Sequence, residues 1–69
     1  MRYVYVIAMY STGERWHTAV CETSQGAARV LNDRGMTREY GNDDSEYQDY
    51  RNPADISQTA NVQRVFLLP

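Results

Sequence analysis

The side chains with the most chemical reach are His17 and Cys21, the one imidazole and the one thiol of a 69-residue chain. A nucleophile and its base must come within hydrogen-bond distance, and in an extended strand residues four apart are separated by about 13 Å. Trp16, Thr18 and Val20 around them are strand formers. The spacing therefore predicts no Cys–His dyad, and Cys21 reads as a small buried hydrophobe. One Cys and one His also fall short of the ligand set a zinc site needs. Asp43, Asp44, Glu46 and Asp49 could suggest a calcium loop, but Gly41 precedes the acids instead of standing among them. Neither a glycine-rich phosphate loop nor a Gly-x-Ser-x-Gly elbow occurs. The expectation is a non-enzymatic chain with no catalytic residue, cofactor or metal.

The same acidic segment offers a different chemistry. Glu39, Asp43, Asp44, Glu46 and Asp49 alternate with Tyr40, Tyr47 and Tyr50 before Arg51 supplies the next positive charge. Carboxylates held on an ordered surface imitate phosphate charge and attract basic grooves. Tyrosine adds flat contact area at low entropic cost. These eight residues are the predicted partner-binding site, and the predicted partner is a host protein with a basic surface. The alternative reading is a solvated loop whose acids keep the chain soluble while its tyrosines fold back over the core.

Those residues need a scaffold. Arg2 to Tyr10 is dense in β-branched and aromatic residues and reads as a central strand; Ser11 to Glu14 supply a turn, and Arg15 to Glu22 a second strand, making a hairpin over residues 2–22. In that second strand Trp16 and Val20 are the predicted core pair, on the face they share with Thr18. Thr23 or Ser24 can cap a helix over residues 24–34, with Ala27, Val30 and Leu31 at helical spacing and Gly35 beyond its end. Val62 to Leu68 is again strand-like.

The polar residues 36–61 read as an insertion. Met36 to Tyr40 and Glu46 to Arg51 could pair as short strands, or Ser45 to Arg51 could form a turn or two of helix; Asn52-Pro53 ends either one, and Asp55 to Ala60 could be another helical turn. The predicted fold is α+β, a single domain over residues 1–69. Its sheet has three strands, mainly antiparallel, in the order 2-1-3. One helix packs on one face, and the last strand lies beside the first and parallel to the second.

Composition narrows the setting. Hydrophobic residues at 42% and charged residues at 23% suit a folded domain rather than a disordered tail. A formal charge of −2 leaves no field strong enough to hold the chain on nucleic acid. A lone cysteine fits a reducing compartment, and no apolar run approaches the length of a membrane span, so the expected location is the cytoplasm. Hairpin, helix and terminal strand, in that order, resemble in layout a broad set of small phage-encoded host-takeover proteins, such as the RNA polymerase inhibitors of T7-like phages. The resemblance implies a phage or mobile-element inhibitor that docks on a host nucleic-acid-handling protein. Two other readings are a nucleic-acid binder using an Arg/Tyr sheet face and a self-associating accessory protein, a homodimer through its open sheet face.

Overall fold

The computed structural model describes residues 2–68. It runs β1 (Arg2–Ser11), β2 (Glu14–Cys21), α1 (Ser24–Asp33), β3 (Thr37–Tyr40), β4 (Tyr47–Asn52) and β5 (Asp55–Leu67). All five strands form one antiparallel sheet in the order β2-β1-β5-β4-β3. This corrects the three-stranded expectation: residues 36–61 are not an insertion but supply β3, β4 and the first half of β5. The cause lies in β1. Its ten residues need a partner along their whole length on the side away from β2, and Ser11, Tyr10 and Met9 find it in Gln58, Thr59 and Ala60. Asp55 to Ala60 is thereby drawn into strand, not helix. Of the two readings left open for residues 45–51, the strand is the one found: Tyr47 to Arg51 pairs with β5 on one side and β3 on the other.

Local chemistry sets the turns. Thr12 and Gly13 both take positive φ, the requirement of a tight two-residue hairpin between β1 and β2. Thr23 caps α1, its hydroxyl accepting from the Gly26 N–H at 2.9 Å. At the other end Gly35, at φ +82°, lets the Met36 N–H reach the Leu31 carbonyl at 2.9 Å and its own N–H reach that of Asn32 at 3.0 Å.

Alternation along the strands divides the sheet into two faces. Ile7 and Met9 of β1, Ala60 and Val62 of β5 and Tyr50 of β4 pack under Ala27 and Leu31 of α1 and Met36 beyond it. From β2 the residues turned to this core are Ala19 and Cys21. Trp16 and Val20, the predicted core pair, are instead 53% and 63% exposed. A register shift opposite Met9 and Tyr10 separates Trp16 from the Thr18 and Val20 face. Trp16 lies 5.4 Å from the His17 ring under the Arg34 guanidinium at 5.7 Å, while Val20 stands on the uncovered face beside Val6. That uncovered face is aliphatic at one end, around Val20, Val4 and Val65, and polar at the other, around Asn61, Thr59 and Asp49.

Among the described residues one polar side chain is fully buried. Gln48 stands under the start of α1, donating to Ser24 Oγ at 3.1 Å while its Oε1 accepts from Arg38 at 3.1 Å and from the Tyr50 hydroxyl at 3.2 Å. No buried side-chain nitrogen or oxygen among the described residues lacks a partner, as burial demands. The cluster ties α1 to β3 and β4, and so fixes the strands that carry the acidic segment.

The β3–β4 turn is equally constrained. Asn42 Oδ1 accepts from the Asp44 N–H and Ser45 Oγ from the Asn42 N–H, each at 2.8 Å. Gly41, at φ +86°, precedes them, and a Cβ there would meet the Tyr47 carbonyl oxygen at 2.7 Å. Gly41→Ala therefore combines a clash with a disfavoured backbone and is expected to cost about 2 kcal/mol, read as an earlier urea midpoint. The control Gly13→Ala meets no atom within 4 Å and should cost less.

Candidate functional site

The eight predicted partner-binding residues converge on one corner of the molecule, but not all are free to touch a partner. Tyr40 closes β3 and Tyr47 opens β4; they are 62% and 41% exposed, with ring centroids 6.4 Å apart. Tyr50 belongs to the opposite face. It is 2% exposed and packs in the core beneath the helix, so it supports the corner from inside and offers no contact area. The sequence reading missed this because Gln48 holds the neighbouring inward position: a polar residue there hides the alternation that sends 48 and 50 inward and 47, 49 and 51 outward.

Three of the five carboxylates have arginine partners. Asp43 accepts from Arg38 at 2.8 Å, Glu39 lies 3.4 Å from Arg51 Nε, and Glu46 lies 3.3 Å from Arg64. Asp43 in turn raises the Arg38 pKa. The pairs are partly exposed, and such pairs contribute little to stability. Asp44 and Asp49 form no ion pair among the described residues. Five carboxylates against three guanidinium groups leave two negative charges here. That equals the whole formal charge of −2, since the other four arginines are matched by Glu14, Glu22, Asp33 and Asp55.

Two depressions are lined by residues of this segment. One, of about 490 Å³, lies between Tyr40, Gly41, Ser45, Glu46 and Tyr47. The other, of about 280 Å³, opens on the bare sheet face between Tyr10, Glu39, Asp49, Arg51, Thr59 and Asn61. Tyr10, Thr59 and Asn61 were not foreseen as part of the site. They come from β1 and β5, and only the register that sets Tyr10 against Thr59 and Asp49 against Asn61 brings them to it.

The tyrosines report their surroundings. A hydrogen bond toward Asp49, then burial, raises the Tyr47 pKa. Burial raises that of Tyr50, offset in part by Arg38. Hydrogen bonds from Arg15 and Asn61 lower that of Tyr10. A phenol whose folded-state pKa is raised stabilises the fold fully below the ordinary value of 10.0 and loses that contribution as pH rises through the folded value. An ultraviolet titration of tyrosinate should accordingly show Tyr10→Phe removing an early step and Tyr50→Phe a late one. Simultaneous ionisation of all six tyrosines would contradict this arrangement.

His17 and Cys21 both lie on β2, separated by the span of an extended strand. Burial raises the Cys21 pKa, which keeps the thiol protonated and a poor nucleophile. Among the described residues no helix is long and apolar enough to cross a membrane, and no three His, Cys, Asp or Glu side chains are grouped to hold a metal ion. Compared with known proteins, the chain matches no family model, no curated protein and no solved structure.

Proposed function

We propose that this chain is a small non-enzymatic protein-binding module that docks its β3–β4 corner on a basic site of a partner protein in the cytoplasm. One observation carries the reading: the entire net charge of the molecule lies beside an exposed tyrosine pair on a turn held by its own hydrogen bonds. Tyr40 and Tyr47 supply contact area that can be desolvated, Asp44 and Asp49 supply charge that no arginine offsets, and Glu39, Asp43 and Glu46 can exchange their arginines for a partner's. Nucleic-acid-handling proteins carry basic surfaces of this kind, which makes a phage or mobile-element inhibitor of such a host protein the specific form of the proposal.

The nucleic-acid reading has less support. Tyr3 and Tyr5 face the helix side, and Arg64 already stacks on Tyr3 at 4.5 Å. Arg2, Arg38, Arg51 and Arg64 are all engaged with carboxylates, so phosphates would have to displace them.

The test is affinity capture from a bacterial lysate with the wild-type chain and with Asp44→Lys/Asp49→Asn as parallel baits. A protein held by the first and lost by the second, with a basic surface, supports docking through this corner. Identical recovery by both baits overturns it.

A further inference from the structure

Tyr40 owes its place beside Tyr47 to a bulge. With Thr37 opposite Arg51 and Arg38 opposite Tyr50, an unbroken register would set Tyr40 against Gln48, on the helix side of the sheet. The pairing slips instead between Arg38 and Tyr40, and Tyr40 stands opposite Asp49. Cross-strand partners share a face, so the slip turns Tyr40 to the uncovered side, where Tyr47 lies two residues before Asp49. The two rings meet with centroids 6.4 Å apart and planes 54° from parallel, a wedge and not a stack. Gly41, Ser45 and Glu46 complete the lining of the depression they form.

We propose that this wedge receives a single arginine side chain of the basic partner, its guanidinium held against the two rings and hydrogen-bonded to a carboxylate beside them. The inference rests on the docking reading above and names what docks. The chain itself shows the preference. Arg64 lies over the Tyr3 ring at 4.5 Å, Arg15 over Tyr10 at 5.7 Å and Arg34 over Trp16 at 5.7 Å. Tyr40 and Tyr47 are 62% and 41% exposed, and among the described residues no arginine lies over either ring. A cation is attracted to a ring within about 6 Å of its centroid. At the 6.4 Å separation found here, one cation reaches both. Acceptors stand ready as well. Arg64 engages Glu46 through Oε1, which leaves Oε2 for an incoming N–H, and Asp49 opposite Tyr40 has no arginine. A guanidinium is planar and weakly hydrated, with its donors in a fork, so it can lie on a ring and bond a carboxylate at once; an ammonium is a compact, strongly hydrated charge. The volume of about 490 Å³ falls toward the lower end of the roughly 300–1,000 Å³ typical of ligand sites, which suits one head group.

The test titrates the full chain with hexa-arginine and with hexa-lysine, peptides of equal charge, at matched salt. Ligand proton shifts and protein amide shifts are followed together. With the wild type, the arginine δ-methylene protons should move upfield, because they lie over aromatic rings, and hexa-lysine should bind more weakly. Tyr40→Leu and Tyr47→Leu keep apolar bulk without a π face, and each should weaken hexa-arginine binding by about two- to fivefold. Tyr40→Phe restores the ring and should recover the loss. Amide shifts over residues 40–49 with no upfield ligand signal overturn the wedge and leave docking at this corner standing. Equal affinity of the two peptides, or of wild type and leucine variants for hexa-arginine, does the same. Hexa-arginine that leaves residues 40–49 undisturbed overturns the docking reading and the wedge together.

Discussion

Truncating Leu31 to alanine should lower the free energy of unfolding by about 3 kcal/mol. Leu31 is fully buried at the helix–sheet contact, and its carbonyl also receives the Met36 N–H that closes the helix. The expected cost is the lost transfer of three carbons plus the cavity left between Ile7, Met9 and Val62, which belong to strands too well paired to close around it. A chain of 69 residues has a total stability of about 3 to 10 kcal/mol, so the variant should be substantially unfolded in urea concentrations where the wild type remains native. Trp16→Ala is the informative contrast. Trp16 is larger than Leu31, yet half-exposed and held by Arg34 and His17. Its loss should cost no more than about 1 kcal/mol. If the tryptophan variant were the less stable of the two, the core would have been assigned to the wrong residues.

The second large effect concerns association. Asp44→Lys/Asp49→Asn converts a molecule of formal charge −2 to one of +1, entirely at the proposed docking corner. Electrostatic steering raises association rates by about 10- to 1,000-fold. The variant should therefore bind a captured basic partner at least about tenfold more slowly at low ionic strength, with the gap closing as salt screens the wild type. Dissociation should change less, because the desolvated contacts of Tyr40 and Tyr47 are retained. Tyr40→Ala should do the opposite, speeding dissociation while leaving the salt dependence of association intact. A charge variant with unaltered association kinetics would remove Asp44 and Asp49 from the account.

The hairpin, the capped helix and the last strand were legible because each carries its own local signal. Thr12-Gly13 has the turn chemistry, Thr23 the cap, Gly35 the left-handed stop, and Val62 to Leu67 the strand composition. What could not be read depends on partners distant in sequence. The segment Asp55 to Ala60 has weak strand character and becomes strand because β1 offers it a full ladder of hydrogen bonds. Gln48 breaks the alternation of β4 and is tolerated only because Ser24, Arg38 and Tyr50 satisfy it. Alternation along β2 groups Trp16 with Val20 as core, but α1 covers the opposite face, that of Ala19 and Cys21, and a one-residue irregularity in pairing then separates Trp16 from Val20.

The candidate site shows the same division. The excess of acids over residues 39–50 was evident from the sequence, and so was its company of tyrosines. The arginines that offset three of those acids come from β3, β4 and β5, and Arg64 stands 18 residues from Glu46. Nothing in local sequence announces such a pair. Its effect is to shift the free charge from the whole segment onto Asp44 and Asp49, and to leave Tyr40 and Tyr47, without Tyr50, as the exposed aromatics.

A titration of the isotopically labelled protein with a hexa-arginine peptide, followed by amide chemical shifts at low and at high salt, examines the docking corner without first identifying a partner. Shift changes should concentrate on residues 40–49 and on Asn61 facing Asp49, fade at high salt and disappear in Asp44→Lys/Asp49→Asn. Changes spread evenly over the surface, or centred on β2 and the helix, would contradict the assignment of this corner as the site where the protein meets a cationic partner.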